Sequence, residues 1–228
     1  MAREPLANSR PERIREQILE WAITEMAVNG SEFFRTTDLC KELHIARSLI
    51  NHHFGSHLGM LAEAAVTSYE RYVLLLKTAA GKKRTPSARL EAWMETQHQW
   101  FADNRGTAVF LQMPHPRYAI VMRDRFEDRL QSGFRFNMAV LATLVRDVQT
   151  GTISSLNFDA ETAPFDELLS QSIEALMRTA SVGMSSMGAS VWGAGPTMPS
   201  RDIDENYLQT ASLAQHRKWV THAILPTR

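Results

Sequence analysis

The sequence predicts an all-α protein: an N-terminal three-helix head with a helix-turn-helix, followed by a larger helical body. Three observations predict it. Apolar residues recur at helical spacing in nearly every long segment, and nowhere does a stretch alternate as a half-buried strand would. Glycine and proline cluster between these segments, where they punctuate rather than interrupt. Residues 36–61, TTDLCKELHIARSLINHHFGSHLGML, read as two short helices joined by a tight corner, with a fresh helix start at Ser56.

The elements follow in order. Residues 1–10 read as a flexible arm carrying Arg3 and Arg10. Pro11 suits a first helical turn and Glu12 the positive end of the helix dipole. Ile14, Ile18, Ala22 and Met26 then repeat every fourth residue until Asn29-Gly30 stops the helix. A second helix runs from Thr36 or Thr37 to Leu43, with a threonine as its N-cap and Leu39, Cys40 and Leu43 inward. His44-Ile45 makes the corner. A third helix, 46–53, buries Leu49 or Ile50 and ends at Phe54-Gly55.

Ser56 caps a long helix to about residue 80, with Met60, Leu61, Ala64, Ala65, Tyr69, Tyr72, Val73 and Leu76 on its apolar face. The loop Gly81-Lys82-Lys83-Arg84-Thr85-Pro86 separates it from a helix over 87–104 that carries Leu90, Trp93, Met94, Trp100 and Phe101. A short segment at 107–113 ends at Pro114-His115-Pro116, and a long helix over 118–150 is expected to kink near Gly133 and close at Gly151. Helices over 160–188 and 205–225, with an irregular stretch at 193–199 between them, complete the body. The domain boundary is placed at 55/56: a helix-turn-helix head over 1–55 and a larger helical body over 56–228.

Composition narrows the function. The 228 residues balance 25 basic against 25 acidic side chains, so no global basic field draws the chain to a polyanion. Any nucleic-acid contact must then rest on local complementarity. Cys40 is the sole cysteine, which excludes an intrachain disulfide and suits a reducing compartment. The polar N-terminus lacks a signal-peptide core, and no apolar run approaches the roughly 20 residues that span a bilayer. A cytoplasmic protein with no membrane partner is expected. There is no Ser-His-Asp order with supporting glycines, no glycine-rich phosphate loop and no HExxH, so neither an enzyme nor a cofactor is expected.

The short helix after the corner carries polar residues suited to a DNA groove. Arg47 can pair with guanine edges, Asn51 with adenine and Ser48 with several acceptors; His52 lies beside them. Arg35, Thr36, Thr37, Lys41, His53, Ser56 and His57 fall nearer the phosphates, which set register and affinity rather than sequence choice. His53 and His57 have the i, i+4 spacing of a chelating pair, but the Phe54-Gly55-Ser56 break separates them and no carboxylate or thiol completes a set, so no metal site is expected.

This stretch resembles the TetR family of bacterial transcriptional regulators. The matching frame is Ile18-Leu19, Gly30, Thr36-Thr37-Asp38-Leu39, Ile45-Ala46, His53-Phe54-Gly55-Ser56 and Leu61, covering residues 12–66. The resemblance implies a DNA-binding head, a helical body that binds a small molecule and dimerises, and repression relieved by that ligand. Three positions depart from the family: His44 stands where glycine usually makes the corner, Asn51 where an aromatic is common, and His57-Leu58 where a Lys-Glu pair usually opens the fourth helix. Replacing a phenol and a permanent cation predicts a weaker or more pH-sensitive nonspecific component of binding, since histidine titrates near neutrality.

In the body, Trp93, Phe101, Phe110, Met113, Met122 and Phe126 are expected to line an apolar cavity, with Gln97, His98 and Arg123 as polar anchors. By contrast, Asp124, Glu127 and Asp128 interleaved with Arg123, Arg125 and Arg129 read as a solvated helix face. Small residues around Gly183–Ser190 predict a homodimer through about 161–190 and 205–225, which would read a palindromic operator in double-stranded DNA. The expected effector is an apolar or amphipathic small molecule. The competing reading is a ligand-independent DNA-binding protein, structural or accessory to cell division, that uses the same head.

Overall fold

The computed structural model describes residues 10–112 and 116–159. These form seven helices and no strand: α1 (Arg10–Phe33), α2 (Thr36–Glu42), α3 (Arg47–Phe54), α4 (His57–Gly81), α5 (Pro86–Asp103), α6 (Arg105–Gln112) and α7 (Pro116–Thr150). The protein is all-α, as the spacing of its apolar residues requires. Among the described residues no helix is long and apolar enough to cross a membrane. The arm at 1–9, Met113, the helices expected over 160–188 and 205–225, the irregular stretch at 193–199 and the dimer surfaces they would carry lie outside the described residues.

The chain groups into two compact units. The first takes the described residues up to Ser68 together with Asn104–Glu127; the second takes Tyr69–Asp103 and the described residues from Asp128 onward. Helices α4 and α7 each contribute one part to either unit, and α6 belongs with the N-terminal helices.

In the first unit, Ile18, Ala22 and Met26 of α1 are fully buried together with Leu39, Ile50, Phe54, Met60 and Leu61. The i, i+4 stripe on α1 is therefore the floor on which α2, α3 and the start of α4 gather. Gly30 breaks the helical geometry inside α1 with φ 73°, ψ 176°, and the chain resumes a helical turn to Phe33 beyond it. The stop expected at Gly30 is thus a kink followed by one more turn. Gly30 and Gly106 serve a close helix crossing: a Cβ on Gly106 would overlap the Met26 carbonyl and the Gly30 backbone. Only glycine lets α6 lie this near α1.

In the second unit, Tyr72, Val73, Leu76 and Ala80 of α4 are buried, as are Leu90, Trp93, Met94 and Trp100 of α5 and Met138, Leu141, Leu144 and Val145 of α7. α7 runs unbroken through Gly133, whose missing Cβ leaves 3.0 Å to the Tyr69 ring, so this glycine serves packing and not the expected kink. Gly151 ends α7 with φ +71°. In the last turn of α7, Asp147 (0% exposed) accepts hydrogen bonds from the Ser154 amide and hydroxyl and pairs with Arg89 Nη1 at 2.7 Å. Arg89 also donates to the Ser154 carbonyl. The pair is buried, and these further hydrogen bonds to Ser154 are of the kind that let a buried ion pair be tolerated.

Candidate nucleic-acid interface

The corner between α2 and α3 is a Schellman turn with an unusual residue in it. The Ile45 amide donates to Cys40 O at 3.0 Å and the His44 amide to Lys41 O at 3.3 Å, the paired bonds that close a helix C-terminus. The turn needs a left-handed residue at its centre, and His44 supplies it with φ 52°. His44 thus adopts the conformation for which glycine is favoured at this position.

α2 begins differently from expectation. Its N-cap is Arg35, in extended conformation and with no side-chain capping bond, and neither threonine caps the helix. The Thr36 hydroxyl instead hydrogen-bonds His57 Nδ1 at 2.9 Å. α4 is capped as expected, the Gly59 amide donating to Ser56 Oγ at 2.9 Å.

α3 carries the sequence-reading candidates. Arg47, Ser48, Asn51 and His52 are exposed, while Ile50 and Phe54 are 1% and 0% exposed. Leu49 is half-buried, so Ile50 is the stronger anchor. Arg35, Thr37 and Lys41 are exposed as well; Thr36, His53, Ser56 and His57 are partly covered. All eleven candidates fall within the first unit.

His57 and His53 are both shifted toward their neutral forms. His57 is held below the usual histidine range first by burial and then by the Arg47 charge. Its ring also lies 5.4 Å from that of Phe34. His53 is lowered by desolvation, by His52 with its ring 5.0 Å away, and by Arg15. His53 ends α3 and His57 opens α4, so the two are not on one helix.

Two side chains at this site carry no sequence signal. Arg15 of α1 pairs with Glu63 of α4 and sets its guanidinium 5.0 Å from the Phe54 ring centre. Arg125 of α7 donates to the Phe54 carbonyl at 2.6 Å. Its separation of 71 residues from Phe54 leaves no local pattern to read, and it is exposed, as expected, together with Arg123, Asp124, Glu127 and Asp128.

The residues expected to line a ligand cavity divide between the units. Trp93, Gln97, His98 and Phe101 belong to the second; Phe110, Met122, Arg123 and Phe126 belong to the first. All but Phe101 and Arg123 are buried; Arg123 is exposed and pairs with its neighbour Asp124 at 3.2 Å. In the second unit, Gln97 donates to the Tyr72 hydroxyl at 3.0 Å, and the Tyr72 ring lies 4.5 Å from that of Trp100. Burial pushes the Tyr72 hydroxyl well above the usual tyrosine range. A separate open groove of about 400 Å³ is lined by Glu70, Val73, Leu74, Asp128, Arg129, Ser132, Gly133 and Phe136. It shares no residue with the expected lining.

No protein-family model matches the chain, and no curated protein matches it. Among solved structures, it is similar to one from Pseudomonas aeruginosa PAO1 of a protein provisionally named a transcriptional regulator. The TM-score is 0.50 at 18% sequence identity, over 93% of this chain and 91% of that one. The likeness shows the fold.

Proposed function

We propose that this chain is a DNA-binding transcriptional regulator of the TetR kind, a repressor that leaves its operator when an apolar or amphipathic small molecule binds the body. One observation carries the reading: α3 is anchored by the buried Ile50 and Phe54 and leaves Arg47, Ser48, Asn51 and His52 in solvent. A short helix anchored this way, following a tight corner, can enter a major groove with base-pairing side chains foremost. The provisional name of the Pseudomonas protein points the same way. The chain acts by binding and not by catalysis, as a two-fold dimer on a palindromic site.

Ligand control is supported by the second unit's interior. Trp93 Nε1 and Asn137 Oδ1 are buried and have no hydrogen-bond partner among the described residues. A buried donor or acceptor left unpaired costs about 1–3 kcal/mol. A ligand offering an acceptor to the indole N–H, or a donor to the amide oxygen, would relieve that cost. Release then requires that the ligand bind the DNA-incompetent state more tightly, and the ratio of the two affinities limits the response.

Selection of duplexes from a random library with the full chain tests the reading. The expected product is a two-fold symmetric sequence with half-sites one helical turn apart or a multiple of it. A pool that shows no enrichment would sink it.

A further inference from the structure

The four last carbonyls of a helix have no amide of their own helix to accept from. In α3, the Asn51 carbonyl is taken by the Gly55 amide at 2.9 Å, and the Phe54 carbonyl by Arg125 Nη1 at 2.6 Å. A guanidinium at this end also meets the negative pole of the helix dipole, where a cation is favoured.

The approach is built for this contact. A Cβ on Gly59 would overlap both Arg125 Nη1 and the Phe54 carbonyl, so the first turn of α4 carries no side chain where the guanidinium passes. A Cβ on Gly55 would come within 3.6 Å of the same nitrogen, and φ +76° there turns the chain away from α3. The Arg125 guanidinium lies 5.2 Å from the ring of Phe126, which is buried at 7% exposure. Phe54 is held on its ring side by Arg15 at 5.0 Å.

From these contacts we infer that Arg125 is a positioning residue for the recognition helix, fixing the C-terminal end of α3 from α7. The inference rests on the DNA-binding reading of α3. Eight residues make a helix about 12 Å long. Tethering its far end therefore sets the angle at which Arg47, Ser48 and Asn51 meet base edges. Arg125 acts through the Phe54 carbonyl, at the end of α3 away from those side chains, and needs no contact with DNA to do so.

The test compares the full chain with Arg125→Ala and Arg125→Lys, using a duplex selected from a random library by the unaltered protein and a random duplex of equal length. Arg125→Ala should weaken the selected duplex about tenfold, the worth of one base contact, and leave the random duplex within about twofold. The slope of log affinity against log salt should not change, and Arg125→Lys should recover most of the loss. If Arg125 touched phosphate directly, both duplexes would weaken together and the slope would fall by about 0.9, which overturns the inference.

Amide hydrogen exchange on the DNA-free chain decides the same point independently. Amides at 53–55 should exchange faster in Arg125→Ala and recover in Arg125→Lys, with those at 61–66 unchanged. Unchanged exchange at 53–55, or loosening that spreads to 61–66, would contradict it. Should the protein select no duplex, the DNA reading fails while this exchange measurement still decides the role of Arg125.

Discussion

The Thr36 hydroxyl and His57 Nδ1 share a hydrogen bond of 2.9 Å, which joins the first residue of α2 to the first residue of α4. Both residues are phosphate-facing candidates by position, yet in the DNA-free chain they engage each other. In the DNA-free chain His57 thus holds two helix starts together.

Its protonation should set a pH dependence of stability. Burial and then Arg47 lower the folded-state value below 6.5, so the unfolded chain takes up a proton first as pH falls. The stability contributed by neutral His57 is present above about pH 6.5 and declines below it. Thermal midpoints from pH 7.5 to 5.5 should fall more steeply for the unaltered chain than for His57→Gln. A phosphate beside the ring would favour the proton, so affinity for a random duplex should rise from pH 8 to pH 6. Parallel stability curves, or equal affinities at the two pH values, would contradict this role.

His44→Gly should stabilise the chain. A left-handed L-residue costs about 1–2 kcal/mol, and glycine returns part of that through its extra freedom when unfolded. The net gain should be roughly 0.5–1 kcal/mol by denaturant titration. His44→Val, which tolerates φ 52° worst, should lose stability.

Gly106→Ala should be costly for its size. The added methyl meets backbone of α1 on three atoms, Met26 O and the Gly30 N and Cα, and backbone cannot swing aside as a side chain can. A loss of about 1–3 kcal/mol is expected, as for an overpacked core. Gly81→Ala, which meets nothing within 4 Å, is the control and should be near neutral.

Much of this was legible from the residues alone, for identifiable reasons. Local rules found the helices: Ser56 caps α4, Gly55 separates α3 from α4, and the stripe of Ile18, Ala22 and Met26 is buried. Where a local rule met a long-range contact, the contact won. Thr36 has the character of an N-cap, but its hydroxyl is drawn to His57, 21 residues on, and Arg35 takes the cap position. Gly133 has the character of a kink, but it makes room for Tyr69 and the helix continues. Arg125 and Arg15 were illegible as site residues, because their partners Phe54 and Glu63 are distant in the chain and their neighbours are charged. The aromatic and methionine residues of α5, α6 and α7 show burial by their composition, but composition does not say which unit each joins.

The central claim is that α3 reads base edges. The most direct measurement is the affinity ratio between the selected duplex and a random duplex for Arg47→Ala and Asn51→Ala. Each lost bidentate pair is worth about 1–3 kcal/mol of discrimination, so each ratio should fall between about fivefold and a hundredfold while the fold is retained. Two variants that both keep the full ratio would contradict the claim.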